Sequence, residues 1–203
     1  MIDFITFCDY LGTFAFAVSG IRLASAKQFD WFGAYVVGLV TAVGGGTVRD
    51  ILLNTTPFWM TQPSYLIVSG FALLFVAAFR KYVIRLTNTF FIFDAIGLGL
   101  FVVVGVVKTL DFGFPMWVAV VMGTITGSFG GIIRDILINE VPLILRKDIY
   151  ALACVSGGVA YWICLQLALP STLSQFISAI IVIGVRVLAV KYHISVPVLK
   201  GEE

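Results

Sequence analysis

Charged residues are scarce in this sequence. Of its 203 residues only 12% are Asp, Glu, Lys or Arg, whereas 60% are hydrophobic. A water-soluble domain needs a far more polar surface, so we expect the lipid bilayer to be the solvent of this chain. A membrane-spanning helix takes about 20 mostly apolar residues, and the chain therefore has room for about seven such helices and for no additional soluble domain.

Histidine and cysteine, which most often bind metals or act as nucleophiles, are also rare. The single histidine is His193, and the three cysteines, Cys8, Cys154 and Cys164, lie inside apolar stretches without the spacing of metal ligands. We predict that the cysteines are small core residues. Because the sequence also has no nucleophile beside a base and no phosphate-binding loop, it indicates no enzyme, no cofactor and no bound metal.

Apolar runs between short polar connections predict an all-α integral membrane protein with seven transmembrane helices. The predicted helices lie near residues 4–23, 31–53, 65–84, 90–107, 114–138, 149–169 and 173–190. The basic residues are scattered at the ends of these segments and form no patch, which argues against a nucleic-acid partner.

Seven crossings place the two termini on opposite sides of the membrane, and the basic residues decide which side is which. Only Arg49 and Lys108 fall on one side. The other side holds Arg22, Lys27, Arg80, Lys81, Arg85, Arg134, Arg146, Lys147, Arg186, Lys191 and Lys200. Cytoplasmic loops are enriched in basic residues, so the N-terminus is predicted outside and the C-terminus in the cytoplasm. The Arg186, Lys191 and Lys108 side chains are expected to extend to the nearest membrane surface.

An internal repeat emerges when the chain is shifted on itself by 134 − 49 = 85 residues, since GGGTVRDILLN at 44–54 then aligns with FGGIIRDILIN at 129–139. The identical pairs are Asp9 and Asp94, Gly12 and Gly97, Gly20 and Gly105, Gly38 and Gly123, Thr41 and Thr126, Arg49 and Arg134, Asp50 and Asp135, Asn54 and Asn139, Pro57 and Pro142, and Tyr65 and Tyr150. Each copy holds three crossings, so the second must enter from the opposite face. We predict inverted three-helix repeats at residues 1–86 and 87–170, followed by a seventh helix and cytoplasmic tail at 171–203.

Glycine clusters lie within the second and fifth predicted helices. They are Gly44, Gly45 and Gly46 in one copy and Gly127, Gly130 and Gly131 in the other. A glycine costs about 1 kcal/mol relative to alanine in a helix interior, so we predict that both helices are broken near the midplane of the membrane. The carbonyl end of a broken helix favours a cation. The alternative is that the glycines only allow close packing between helices.

Acidic residues inside the first and fourth predicted helices indicate buried ion pairs. Asp9 is expected to pair with Arg49, and Asp94 with Arg134, because the members of each pair share a leaflet. Such pairs either join helices or guard the two mouths of a pore. The carboxylates that follow the arginines, Asp50 and Asp135, either cap short helix ends or neutralise the arginines.

Hydroxyl residues near the glycine clusters have two possible roles. They are Thr41, Thr126, Ser19, Thr124 and Ser128. Each hydroxyl either contacts a permeating ion or, as is common, donates a hydrogen bond to a carbonyl of its own helix.

Two copies of a three-helix unit, the segments GGGTVRD and FGGIIRD, and a lone seventh helix resemble the TRIC (trimeric intracellular cation channel) family over about residues 4–190. Prokaryotic members are also described as glycine-transporter-like proteins. The resemblance implies a homotrimer in membrane lipid, here the plasma membrane of a prokaryote, with one hourglass pore per subunit. It implies a pore lined by the first, second, fourth and fifth helices, with kinks at Gly44–Gly46 and Gly130–Gly131 and with Arg49 and Arg134 as the motif's basic residues. Potassium is the implied main permeant ion, and sodium also passes.

Three functions therefore remain open at this level. The first is a passive channel for monovalent cations. The second is a secondary transporter for a small zwitterion such as glycine, because broken helices in inverted repeats also form substrate sites. The third is a membrane scaffold in which every polar residue is structural.

Overall fold

The computed structural model describes residues 4–80, 89–146 and 149–197. Within them lie seven long helices: α1 (Phe4–Ala26), α2 (Trp31–Leu52), α3 (Ser64–Ala78), α4 (Thr89–Asp111), α5 (Met116–Leu137), α6 (Ala151–Gln166) and α7 (Ser171–Lys191). A short helix, Phe58–Thr61, precedes α3, and a 3₁₀ turn, Leu143–Leu145, precedes α6. The predicted repeat boundary at 86 and 87 and the basic residues Lys81, Arg85, Lys147 and Lys200 lie outside the described residues.

Five of the described helices, α1, α2, α4, α5 and α7, are long and apolar enough to cross a bilayer. The helices α3 and α6 are also apolar but have 15 and 16 residues. At 1.5 Å per residue they are about 22 to 24 Å long, somewhat less than the roughly 30 Å of a typical hydrocarbon core. The helix that the sequence predicts at 149–169 is therefore shorter than expected, whereas residues 81–84 of the helix predicted at 65–84 lie outside the described residues.

The ends of α2 and α5 show why the repeated motif finishes with asparagine. Asn54 and Asn139 have left-handed backbones, with φ values of 55° and 56°. The next amides, those of Thr55 and Glu140, donate back to the Asp50 and Asp135 carbonyls at 2.9 Å and 2.8 Å. This is a Schellman ending, and asparagine tolerates the left-handed position better than most residues.

Equivalent helices of the two repeats pack against each other in the centre of the molecule. α1 packs against α4, and α2 against α5. The α1 and α4 side chains at this centre are fully buried, among them Phe16, Val18, Leu98, Val102 and Val103. The helix α7 lies outside this four-helix centre, where it packs on α4 and α6. The three cysteines are buried within the helices, as predicted.

The breaks predicted in α2 and α5 are absent. Both helices are continuous, α2 through Gly44–Gly46 and α5 through Gly127–Gly131. The prediction was wrong because the energetic cost of glycine in a helix can be offset by the close helix contact that glycine permits. The alternative interpretation, that the glycines serve packing, describes this structure.

Candidate functional site

The helices α2 and α5 cross with their backbones in close contact. A Cβ atom built on Gly45 would overlap the carbonyl oxygen of Thr126, and a Cβ atom on Gly130 would overlap that of Thr41. These two contacts exchange under the repeat shift, since 45 + 85 = 130 and 41 + 85 = 126. The helices therefore cross about a local two-fold relation, and no side chain separates them at this level.

The other predicted glycines make room for side chains near the two ends of this crossing. A Cβ atom on Gly44 would lie 3.0 Å from Ile133, and one on Gly127 would lie 2.9 Å from Val102. A Cβ atom on Gly46 would overlap the ring of Phe58, whereas one on Gly131 would lie 2.8 Å from the Tyr150 hydroxyl. These glycines are thus packing positions, Gly44 against α5 and the other three against neighbouring segments.

The hydroxyl residues beside the crossing bond to their own helices. Thr41 donates to the Val37 carbonyl at 2.6 Å, and Thr126 to that of Met122 at 2.7 Å. Ser128 donates to the Thr124 carbonyl at 2.6 Å. A bond to a carbonyl of the same helix is one of the two roles that the sequence left open for these hydroxyls. Each hydroxyl oxygen keeps lone pairs that could still face a cation.

One charge cluster, which we call the outer cluster after the side predicted for it from the sequence, contains Arg49, Asp50, Lys108 and Asp9. The Asp50 carboxylate is fully buried and accepts from Arg49 Nε at 2.8 Å and from Lys108 Nζ at 3.0 Å. Its second oxygen accepts from the Phe58 amide at 2.9 Å, at the start of the short helix. Asp50 thus performs both structural roles that the sequence suggested. Lys108, expected to extend to the membrane surface, instead turns inward onto this carboxylate.

Asp9 is bound by a residue that the sequence prediction did not assign to the site. Its carboxylate accepts from the Tyr65 hydroxyl at 2.7 Å. Arg49, Lys108 and Asp50 lie within electrostatic range of it, but among the described residues no ion pair joins Asp9 to Arg49. The predicted pairing is therefore wrong for this repeat. The identity of Tyr65 with Tyr150 in the repeat alignment was the signal that pointed to this tyrosine.

The inner cluster contains the equivalent residues Arg134, Asp135 and Asp94. The Asp135 carboxylate accepts from Arg134 Nε at 2.8 Å and from the Leu143 amide at 3.0 Å, which mirrors Asp50. Arg134 Nη1 forms a short ion pair with Asp94 and also donates to the Ser19 hydroxyl at 3.0 Å. The pairing expected between Arg134 and Asp94 is present. Through its bonds to Asp94 and Ser19, Arg134 joins α5 to α4 and α1. All of these charged groups are buried.

Arg186 of α7 lies beside the inner cluster. The sequence predicted that its side chain extends to the membrane surface, but the residue is only 1% exposed. Its guanidinium lies 4.7 Å from the Tyr150 ring centroid and 5.1 Å from that of Phe91, and Nη1 donates to the Ile149 carbonyl at 2.9 Å. Aromatic faces stabilise a desolvated guanidinium, which explains why Arg186 is buried.

An ion-pair network closes the surface beside the inner cluster. Lys27 Nζ contacts Glu140 at 2.7 Å, and Arg146 contacts the other oxygen of Glu140 at 3.4 Å. Lys27 holds the pKa of the Glu140 carboxyl below its usual value, through a hydrogen bond and its charge. The network connects the segment after α1 with the segment after α5. A cavity of about 320 Å³ lies beneath it and reaches Asp135.

The described part of the chain has no group of three His, Cys, Asp or Glu residues arranged to hold a metal ion. The site is therefore defined by buried ion pairs, hydroxyls and helix contacts. Such an arrangement can bind or pass small charged species and contains no obvious nucleophile.

Comparison with known proteins matches the chain twice to one family model. The model, described as glycine transporter, covers residues 6–81 and 91–166. These segments are offset by 91 − 6 = 85 residues, the shift that aligns the two repeats. Residues that contact each other across the two-fold relation therefore come from the two copies of one family unit.

Bacterial membrane proteins are similar over much or nearly all of the chain. The UPF0126 inner membrane protein YadS of Escherichia coli (strain K12) is 38% identical over 201 residues, 96% of this chain and 96% of that protein. The UPF0126 membrane protein YvgT of Bacillus subtilis (strain 168) is 36% identical over 152 residues, 73% of this chain and 75% of that protein.

Solved ion channels share the fold. The TRIC trimeric intracellular cation channel orthologue from Rhodobacter sphaeroides is 33% identical, covering 94% of this chain and 98% of its own, with a TM-score of 0.88. A second TRIC cation channel is 34% identical over 99% of this chain and 100% of its own, with a TM-score of 0.87. These relatives are channels and not enzymes. This chain is a multi-pass membrane protein that belongs to the glycine-transporter model's family and to the TRIC family of prokaryotic channels.

Proposed function

We propose that the protein is a monovalent cation channel that prefers potassium, with one pore in each subunit of a homotrimer in the plasma membrane of a prokaryote. The observation that carries the proposal is the likeness to solved TRIC channels at 33% and 34% identity over at least 94% of the chain. Because this identity holds over nearly the whole chain, the likeness is not one of fold alone.

The pore runs between the two repeats, along α1, α2, α4 and α5. In this arrangement α2 and α5 are in contact at Gly45 and Gly130, so conduction requires that the two helices separate there. Free carbonyls at broken helices no longer support the proposal, because both helices are continuous. The groups that could contact an ion are instead the Thr41 and Thr126 hydroxyls and the carboxylates at the two mouths.

Contacts between helix ends support seven crossings with alternating direction. Asp50, near the end of α2, binds Lys108, near the end of α4, so these two ends share a side. The intervening α3 must then return the chain across the membrane, despite its 15 residues. Arg186, near the end of α7, likewise binds the Ile149 carbonyl just before α6, so α6 and α7 are a crossing and its return. With the positive-inside rule, the N-terminus lies outside and the C-terminus in the cytoplasm.

Recordings in planar bilayers test conduction directly. The purified protein should give unitary currents that reverse near the potassium equilibrium potential in a potassium gradient. Thr41→Val and Thr126→Val should each lower the unitary conductance by about twofold or more if these oxygens contact the ion. Ser69→Ala is the matched control, because Ser69 makes the same type of bond to its own helix on α3, at 2.9 Å, outside the proposed pore.

The second candidate function is a transporter for glycine, which the description of the family model favours. Inverted repeats with a buried crossing also suit alternating access. Saturable glycine uptake into proteoliposomes, without ohmic potassium conductance, would establish the transporter and overturn the channel. If the protein gives neither current nor glycine uptake, the membrane scaffold is the remaining function.

A further inference from the structure

Each cluster holds an equivalent set of one arginine and two aspartates, with an equivalent tyrosine beside it, but the bonds within the two sets differ. In the outer cluster the Tyr65 hydroxyl donates to Asp9 at 2.7 Å, and the ion pair of Arg49 stays on its own helix, with Asp50. In the inner cluster Asp94 is held by Arg134, while the equivalent tyrosine, Tyr150, makes no such bond. One acidic residue thus has two competing donors, and each repeat shows a different choice.

Unused hydrogen-bonding groups are concentrated in the inner cluster. Asp94 Oδ2, Arg134 Nη2 and the Tyr150 hydroxyl are buried and have no hydrogen-bond partner among the described residues. Tyr150 and Asp94 lie within electrostatic range of each other, and the Tyr150 hydroxyl borders Gly131 beside Arg134. A buried polar group without a partner is costly, so this arrangement is poised for an alternative set of bonds. The bond that is missing here is the one that Tyr65 makes to Asp9.

The residues packed around the two tyrosine rings differ, and this difference leaves the Tyr150 hydroxyl able to form a new hydrogen bond. Tyr65 stacks on Tyr10 at 5.0 Å and meets the Phe58 ring edge-on at 4.4 Å. The equivalents of these two aromatic residues are Ala95 and Leu143. The Tyr150 ring is instead held by the Arg186 guanidinium on its face. Arg186 therefore positions the ring without bonding the hydroxyl.

We infer that Tyr150 is a gating residue of the inner mouth. In the conducting state its hydroxyl donates to Asp94, as Tyr65 does to Asp9, and Arg134 is released from Asp94. Arg134 Nη1 joins α5 to Asp94 of α4 and to Ser19 of α1. Once Arg134 is released, these three of the four proposed pore helices are no longer held together at this end. The Asp94 carboxylate then presents a negative charge to the passage, which favours a cation. The inference rests on the proposed channel function.

Tyr150→Phe separates this role from a structural one. Because the hydroxyl makes no hydrogen bond to the residues that the structure describes, its removal should leave the melting temperature of the detergent-solubilised protein unchanged or slightly raised. Open probability in planar bilayers should fall by roughly threefold to tenfold, the effect of one hydrogen bond of ordinary strength. Unitary conductance should not change, because the bond controls opening and not the open passage.

Tyr161→Phe is the matched control. Tyr161 is a buried tyrosine on α6, and its hydroxyl makes a long contact of 3.4 Å with Ser171, away from both clusters. It should leave open probability unchanged. Asp94→Asn weakens the competing ion pair and should raise open probability, and Tyr150→Phe should have a much smaller effect in that background than alone.

An unchanged open probability in Tyr150→Phe, or an equal loss in the wild-type and Asp94→Asn backgrounds, would overturn the inference while leaving the channel intact. A Tyr150→Phe chain that fails to fold would show that the hydroxyl is already bonded and would overturn it as well. Wild-type protein that is silent at all voltages would overturn the channel function and the gate with it.

Discussion

Gly45 of α2 lies against the carbonyl oxygen of Thr126 of α5, and the two-fold partner of this contact joins Gly130 to Thr41. The two contacts bring the backbones of both repeats together where the sequence predicted an aqueous break. Glycine is required at these positions because any Cβ atom would overlap a backbone oxygen, which cannot rotate away as a side chain can. The contact therefore determines how closely the repeats approach and how far they must part to conduct.

Alanine at these positions should wedge the two helices apart. We expect Gly45→Ala and Gly130→Ala each to lower the free energy of unfolding by about 1 to 3 kcal/mol, the usual cost of overpacking. The measurement is denaturant unfolding in detergent micelles, followed by circular dichroism. Gly70→Ala is the control, since a Cβ atom on Gly70 in α3 has no neighbour within 4 Å. It should be neutral or stabilising by up to about 1 kcal/mol, through helix propensity. Equal stability of Gly45→Ala and Gly70→Ala would contradict the contact.

The repeat and the local roles of Asp50 and Asp135 could be predicted from the sequence, because each depends on residues in one register or on one helix end. The continuity of α2 and α5 could not, because it depends on how closely a second helix approaches the glycines. Likewise, Arg186 reads as a surface residue until Phe91 and Tyr150 are brought to it by the packing of α4 and α6. Asp9 has two possible donors in the sequence, and only the tertiary structure selects Tyr65 over Arg49.

The two acidic residues of the repeat should differ in their coupling to arginine. Arg134→Gln should cost about 3 to 5 kcal/mol, because it leaves the buried Asp94 and Asp135 carboxylates without their cation. Asp94→Asn should cost less, because Arg134 keeps its ion pair with Asp135. The double variant should cost less than the sum of the two, by about 1 to 3 kcal/mol. The equivalent cycle, Asp9→Asn with Arg49→Gln, should be additive within about 0.5 kcal/mol. Comparable coupling energies in both cycles would show that, in the purified protein, the two aspartates do not differ in their pairing with arginine.

The Lys27 and Glu140 pair should give a pH-dependent contribution to stability. Lys27 lowers the pKa of Glu140, so the ionised carboxylate is favoured in the folded state. The contribution is therefore fully present above the ordinary carboxyl pKa and is lost as the pH falls through the lowered value. Lys27→Ala should reduce the melting temperature slightly at neutral pH and have no effect once Glu140 is protonated. Added salt should reduce the difference, since both side chains are 42% exposed.

The control for that experiment is Lys191→Ala, because Lys191 contacts the Tyr192 ring and no ion pair involves it in the part of the chain that the structure describes. Its effect on melting temperature should not follow the titration of a carboxylate. A Lys27→Ala difference that persists unchanged below the Glu140 pKa would exclude the ion pair as its source.

The ends of α1 and α4 test the inversion of the repeats. Ala26 and Asp111 are the last residues of these helices, are both exposed and are equivalent, since 26 + 85 = 111. Parallel repeats would place them on one side of the membrane, whereas inverted repeats place them on opposite sides. In a background with Cys8, Cys154 and Cys164 replaced by alanine, Asp111→Cys should react with an impermeant maleimide added to intact spheroplasts. Ala26→Cys should react only after the membrane is permeabilised. Labelling of both from outside would disprove the inverted arrangement, and the reverse pattern would place the N-terminus in the cytoplasm.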